Sequence, residues 1–169
     1  MSTANFIETA SAINDNCKKV GATFIVNDRV DAAIAVGADG VHLGQDDFPL
    51  CEARRLLGMD KIIGVSTHSM EEALSAESGG ADYIGFGPVF QTDTKKDALD
   101  PRGLSELNGI ARHISIPVIA IGGINMDNLQ SMIDSRVDGV AIISAVAGSE
   151  NIAQTSSRLI KMIGDSNGS

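Results

Sequence analysis

Gly37-Ala38-Asp39-Gly40-Val41 is the stretch on which the fold reading turns. A glycine suited to stop a helix is followed at once by a valine-led apolar run, Gly40–Leu43. One short segment therefore closes a helix and opens a strand. The pattern returns as Gly80-Ala81-Asp82-Tyr83-Ile84 and, in degenerate form, as Val137-Asp138-Gly139-Val140. Junctions of this kind, repeated along one chain, argue for βα units in series, as a (β/α)-barrel or a doubly wound sheet.

Working outward, the strand candidates are Thr23–Asn27, Gly40–Leu43, Ile62–Ser66, Tyr83–Phe86, Pro117–Ile121 and Gly139–Ser144. They are rich in Val and Ile and mostly continuous, which suits parallel strands covered on both faces. Helices are expected over Val30–Val36, Leu50–Leu57, Met70–Ser78, Leu104–His113 and Asp127–Ser135. Thr3–Lys19 opens the chain as a helix, with Ile7, Ala10, Ile13 and Cys17 at helical spacing, and Asn151–Ile163 closes it. Ser69 reads as an N-cap with Glu71 and Glu72 in the first turn. Gly37, Gly58, Gly79 and Gly80 read as helix stops. Residues 1–164 form one domain in this reading, and 165–169 a disordered tail.

Polar residues stand at the C-terminal end of nearly every strand candidate. Asn27-Asp28, Gly44-Gln45-Asp46-Asp47, Ser66-Thr67-His68, Gln91-Thr92-Asp93-Thr94-Lys95-Lys96, Gly122-Gly123 and Ser144 all sit there. In a TIM-type barrel those ends converge on one mouth, where active sites lie. In a doubly wound sheet they would spread along an edge. The fold expected is therefore α/β, a TIM-type (β/α)8 barrel, here incomplete with about six parallel strands. A closed barrel of this type needs eight strands and usually about 200 residues or more. The chain has 169 and opens on a helix, so the two remaining strands are expected to precede Met1.

Composition narrows the partners. Asp+Glu number 22 against 13 for Lys+Arg, a net charge of −9, which disfavours nucleic acid and anionic membrane surfaces. No apolar run approaches the roughly 18 residues that span a bilayer, and the N-terminus lacks a signal-peptide core. Cys17 and Cys51 are too far apart for a zinc motif or a disulfide framework, and are expected as small buried hydrophobes in helices. A reducing cytoplasm fits this usage.

The strand-end residues suggest phosphate chemistry. Two threonines and two lysines within Thr92–Lys96 make a donor-rich loop able to hold an oxyanion, phosphate or diphosphate. Against the acidic background, Lys95 and Lys96 stand out. Asp28 and Asp47 at neighbouring strand ends could share a Mg²⁺; alternatively Asp28 caps a helix while Asp46 and Asp47 lie in a turn. Gly122-Gly123 would let backbone approach an anion, and Ile143-Ser144 leads into a helix start. His42 reads as a core or lining residue, His68 as a candidate substrate contact, and His113 as a helix-end cation. No Cys–His or Ser–His pairing is signalled, which argues against acyl transfer.

These segments together resemble the thiamine phosphate synthase family. The matching runs are Ile25–Arg29, Gly40–Asp47, Ile63–His68, Gly85–Phe90 with the Thr92–Lys96 loop, Ala120–Ile124 and Gly139–Ser144. The resemblance implies a transferase. It joins hydroxymethylpyrimidine diphosphate to thiazole phosphate with Mg²⁺-assisted release of diphosphate, giving thiamine phosphate. By that likeness Asn27 and Ser66 contact the pyrimidine, and Asp28 and Asp47 hold Mg²⁺. Lys95 binds the departing diphosphate. Thr92 and Thr94 hold the thiazole phosphate, helped by Gly123, Ile143 and Ser144. Lys95 and Ser66 are the expected catalytic residues. Family members also carry a Gln-Leu-Arg-Glu-Lys-like motif after an earlier strand, which this sequence lacks. Met1 is accordingly read as an internal methionine, or the chain as a fragment. Open strand edges in such a chain favour pairing with another copy, a homo-oligomer. A thiazole tautomerase-like isomerase and a non-catalytic phosphate-binding remnant are the alternative readings. Mg²⁺-dependent diphosphate release separates the transferase from both.

Overall fold

The computed structural model describes residues 1–92, 94 and 99–166. The element order is α1 (Thr3–Val20), β1 (Ile25–Asn27), α2 (Val30–Val36), β2 (Gly40–Leu43), α3 (Leu50–Leu57), β3 (Ile62–Thr67), α4 (Met70–Ser78), β4 (Tyr83–Phe86), α5 (Gly103–His113), β5 (Val118–Ile121), α6 (Leu129–Ile133), β6 (Gly139–Ala141), α7 (Ser144–Ala147) and α8 (Ile152–Ser166). The strands form one parallel sheet of six in the order β1-β2-β3-β4-β5-β6, curled into a half-barrel with β1 and β6 at its edges. Consecutive parallel neighbours joined by crossover helices are the pattern of a TIM-type fold.

The repeated sequence junction has a specific physical job. Asp39 donates its N–H to the Phe24 carbonyl (3.0 Å) and its carboxylate accepts the Phe24 N–H (2.8 Å). Asp82 treats Ile63 the same way (2.8 and 2.7 Å). Asp138 does so with Val118 (3.0 and 2.8 Å). Each aspartate thus clamps the start of the strand before its own, supplying an acceptor to an N–H at the edge of the ladder. Arg54 braces the central clamp. Its guanidinium donates to the carbonyls of Gly58 (3.1 Å), Lys61 (2.6 Å) and Gly80 (3.0 Å) and pairs with Asp82 at 2.5 Å.

Side-chain alternation divides each strand between two faces. The outer face packs under the helices. Val26, Val41, Leu43 and Ile63 join α2 and α3 in one buried cluster. Val65, Ile84, Phe86, Val118 and Ala120 join α4, α5 and α6 in another. The inner face is different: Ile25, His42, Ile62, Ser66, Tyr83, Ile119 and Ile121 are only partly buried. Continuous apolar strands led to the expectation of cover on both faces. The structure buries the helix side from β1 to β5, leaves Val140 of β6 partly buried, and leaves the concave side half open.

Several boundaries move, each for a local reason. Thr23 and Phe24 fall outside β1, because Phe24 bonds to the Asp39 clamp instead of the ladder. Pro117 has no N–H, so β5 starts at Val118. β6 ends at Ala141, not Ser144, because Ile143 has already turned to φ −115, ψ −74 and heads α7. α6 begins at Leu129, because Asn125 and Asn128 side chains hold the preceding residues in turns. Cys51, expected buried, is exposed on α3, and Cys17 is half-buried. α8 runs through Ser166, and residues 167–169 of the expected tail lie outside the described residues. Among the described residues no helix is long and apolar enough to cross a membrane.

Replacing Asp39 or Asp138 by Ala is expected to lower the unfolding free energy by about 1–3 kcal/mol, the worth of a charge-assisted bond to backbone. Asp82→Ala is expected to cost more, because Arg54, only 15% exposed, loses its counter-charge. Urea titration of the three variants checks the ranking. Equal losses at all three positions would remove Arg54 from the account.

Candidate active site

All strands point the same way, so their C-terminal ends lie along one rim of the curled sheet. At the end of β1, Asn27 stands beside His42 in the ladder. Asp28 follows, donating its N–H to the His42 carbonyl at 2.8 Å. Its φ of 63° makes it the one described non-glycine residue with positive φ. The Arg29 N–H reaches back to the Asn27 carbonyl (2.8 Å) across it, a tight three-residue turn. Aspartate tolerates this conformation better than most residues but still stores strain, a feature that gathers at functional sites. Arg29 occupies the cap position of α2, and its own side chain makes no cap hydrogen bond.

The neighbouring cation is tied up elsewhere. Arg29 donates to both Asp31 carboxylate oxygens (2.8 and 2.6 Å) and stacks over Phe6 with its guanidinium 5.5 Å from the ring centroid. That hydrogen bonding holds the Asp31 carboxyl down to about 2. At the end of β2, Asp47 folds back on its own turn: its Oδ2 accepts the Gly44 N–H at 2.7 Å. The turn is as the alternative reading had it, yet the carboxylate keeps a second oxygen and lies exposed. Gln45, between them, donates to the Ser66 carbonyl at 2.6 Å and so joins the β2 loop to β3.

Ser66 and His42 meet inside the half-barrel. His42 Nε2 lies 2.9 Å from Ser66 Oγ, and Nδ1 lies 2.9 Å from the Tyr83 hydroxyl. The sequence signals no Ser–His pair, yet these residues, 24 apart in sequence, face each other because they occupy the inner face of adjacent strands. His68, expected to contact substrate, is fastened to the next loop. A carbonyl can only accept, so the 2.5 Å contact to Gly87 O places the proton on His68 Nδ1. Its backbone N–H goes to the Glu72 carboxylate (2.6 Å), while Ser69 Oγ accepts the Glu72 N–H (3.2 Å) and caps α4.

The β4 and β5 loops are built against each other. Val89 N–H donates to Ile121 O (2.9 Å) and Phe90 N–H to Gly122 O (3.1 Å). Gly123 has φ 66°, and a Cβ there would lie 2.4 Å from the Gln91 carbonyl oxygen, so no larger residue fits without moving that loop. The Asn125 and Asn128 amides hold the Gly123 carbonyl (3.3 and 2.9 Å). Just beyond, Thr94 N–H and Thr92 Oγ1 are 3.3 Å apart, and the two hydroxyls 3.1 Å apart. Asp93, Lys95 and Lys96 lie outside the described residues.

The structure therefore links Asn27, Asp28, Asp47, Ser66, Thr92, Thr94 and Gly123 through one chain of loop contacts. Ile143 and Ser144 are exposed at the start of α7, with only the β5–β6 ladder connecting them to the rest. Sequence reading passed over Tyr83 as a site residue. It also passed over Arg102, whose N–H donates to Pro88 O (2.8 Å) and whose buried Nε has no partner among the described residues. The signal for Arg102 was its position, a cation just past the Thr/Lys loop.

A curled sheet of six parallel strands joined by helices, with carboxylates, hydroxyls and close-approach glycines along its C-terminal rim, defines a TIM-type α/β protein. Residues 1–146 match the family model described as thiamine monophosphate synthase. The thiamine-phosphate synthase of Chloroflexus aurantiacus is 48% identical over 162 residues, which cover 96% of this chain and 74% of that protein. The enzyme of Methanosarcina barkeri is 49% identical over 162 residues, 96% and 73% of the two chains. The thiamine phosphate pyrophosphorylase structure from Pyrococcus furiosus matches with a TM-score of 0.92 at 42% identity, covering 99% of this chain and 80% of that one. The chain belongs to the thiamine monophosphate synthase family.

The left-handed turn at Asp28 can be tested by stability alone. Asp28→Ala is expected to lower the unfolding free energy by about 1 kcal/mol, since Ala bears the full strain. Asp28→Gly is expected to stay closer to the parent, because glycine enters this region freely. Indistinguishable denaturation midpoints for the two variants would place the strain elsewhere.

Proposed function

We propose that this chain is a transferase that joins hydroxymethylpyrimidine diphosphate to thiazole phosphate, giving thiamine phosphate and diphosphate. The reading rests on family membership together with one geometric observation. The expected carboxylate, hydroxyl and glycine positions stand at the ends of consecutive parallel strands, bonded loop to loop from β1 to β5.

The chemistry needs little from the protein beyond charge and position. The bond between the pyrimidylmethyl carbon and the diphosphate oxygen breaks, and its electron pair leaves with the diphosphate. The thiazole nitrogen lone pair then forms the new carbon–nitrogen bond, so no general base is required. In this reading Asn27 and Ser66 bind the pyrimidine, and Lys95 binds the leaving diphosphate. Thr92, Thr94, Gly123 and the Ile143-Ser144 turn bind the thiazole phosphate. The paired Thr92 and Thr94 hydroxyls and the enforced approach of Gly123 to the β4 loop support that assignment.

The donors present fit magnesium. Among the described residues no cluster of three or more His, Cys, Asp or Glu could enclose a metal by itself. Mg²⁺ favours one or two carboxylates, with waters and substrate phosphates completing its shell. Asp28 and Asp47, just past the ends of the neighbouring strands β1 and β2, would offer that set. When bound there, Mg²⁺ would neutralise charge developing on the departing diphosphate.

Incubation of the chain with both substrates is expected to yield thiamine phosphate and diphosphate in equal amounts, and EDTA is expected to abolish the release. Lys95→Ala is expected to reduce turnover by about 10²–10³, the usual cost of one preorganised charge contact. Near-normal turnover in that variant removes the leaving-group role from Lys95. Conversion of a thiazole phosphate without diphosphate release or Mg²⁺ dependence would replace the transferase reading with the isomerase one.

A further inference from the structure

A serine hydroxyl 2.9 Å from an imidazole nitrogen has the look of a nucleophile and its base. The third member of the group, Tyr83, decides otherwise. Its ring lies across the inner face of the half-barrel where Gly64 leaves room: a Cβ on Gly64 would sit 2.0 Å from Tyr83 Cζ. Gly85 does the same for His42, with a Cβ there 3.1 Å from the imidazole Cε1. The two rings meet with centroids 5.4 Å apart and planes tilted by 35°, which brings the phenol oxygen to His42 Nδ1 at 2.9 Å. Two glycines thus hold open the space in which Tyr83 reaches His42.

The direction of the hydrogen bonds follows from the donor inventory. Burial pushes the Tyr83 phenol up, so it keeps its proton at neutral pH. Among the described residues the hydroxyl of Tyr83 has one hydrogen-bond partner, Nδ1 of His42. Tyr83 pairs with Gly64, two residues deeper in the sheet than Ser66, which stands near the open rim where a substrate can accept its proton, so of the two hydroxyls the phenol is the one that must find its acceptor in the protein. The phenol therefore donates and Nδ1 accepts. A neutral imidazole has one N–H, which must then be on Nε2. Nε2–H donates to Ser66 Oγ, so His42 cannot remove the Ser66 proton. Gln45 fixes the Ser66 backbone by donating to its carbonyl at 2.6 Å. The Ser66 hydroxyl hydrogen is left to point into the half-barrel.

We propose that Tyr83 is a positioning residue: its hydroxyl sets the tautomer of His42, and through it holds Ser66 as a hydrogen-bond donor to the substrate. The inference rests on the transferase reading only in naming that substrate, the pyrimidine diphosphate. It suits the reaction, because Ser66 is prevented from becoming a nucleophile toward an electrophilic pyrimidylmethyl group.

The test is a long-range proton–nitrogen correlation spectrum of the ¹⁵N-labelled full chain, at a pH where the imidazole is neutral. His42 is assigned by its loss in His42→Gln. The expected pattern for His42 is the Nε2–H tautomer, and Tyr83→Phe is expected to raise the Nδ1–H population several-fold. An Nδ1–H tautomer in the parent chain, or an unchanged tautomer in folded Tyr83→Phe, overturns the proposal. If Tyr83→Phe does not fold, the parent spectrum decides alone. Kinetics give a second reading. Tyr83→Phe is expected to lower kcat about tenfold with KM for thiazole phosphate unchanged, and to cause no further loss in a Ser66→Ala background. Equal losses in both backgrounds would show that Tyr83 does not act through Ser66. A parent chain that shows the Nε2–H tautomer without turnover supports the positioning while counting against the transferase reading.

Discussion

One residue before each even-numbered strand stands an aspartate that grips the strand before it by both its N–H and its carboxylate. Everything at the opposite end of the sheet depends on this grip. A parallel ladder has evenly spaced, slanted bonds and no tight hairpin to set its register. Asp39, Asp82 and Asp138 supply that register directly, one pair of strands at a time. A slip of one residue would exchange the inner and outer faces of a strand. His42 would then turn under the helices and Val41 into the site.

The register divides labour between the two faces. The outer face buries Val41, Ile63, Ile84, Phe86 and Val118 beneath the helices, where apolar area removed from water stabilises at about 25 cal/mol per Å². The inner face carries Gly64 and Gly85, which add no side chain, and gives their space to Tyr83 and His42. A face that must hold a substrate cannot also be filled by its own core. The clamps at one end and the helix packing on one side leave the third region free for chemistry.

Strain and close approach are confined to the rim. Asp28 is held in a left-handed conformation by bonds on both sides of it, and Gly123 is pressed against the Gln91 carbonyl. Both are positions where a change of side chain is felt by a neighbouring loop. The β4 and β5 loops are fastened to each other through Val89, Phe90, Ile121 and Gly122. A site for two phosphorylated substrates needs such coupling, because the reacting atoms must be held at bonding distance from two separate anchors.

Much of this was legible in the chain because its causes are local. The helices Val30–Val36, Leu50–Leu57 and Met70–Ser78 and the strands Gly40–Leu43 and Tyr83–Phe86 fall where apolar spacing, stop glycines and the Ser69 cap put them. A cap or a stop acts over three or four residues, so the sequence carries the whole interaction. The polar strand ends were visible for the same reason. The shortened β6 was not, since Ile142 and Ile143 have strand composition but the backbone turns to start α7. Nor was the exposure of Cys51, which depends on which side of α3 meets the sheet. The Tyr83–His42–Ser66 group was out of reach altogether. His42 and Tyr83 are 41 residues apart, and nothing in either segment names the other. The sequence by itself determined the order of elements and the chemical character of each strand end. Only the tertiary structure decided which side chains share a wall, because that follows from strand register and from the room that two glycines leave on a neighbouring strand.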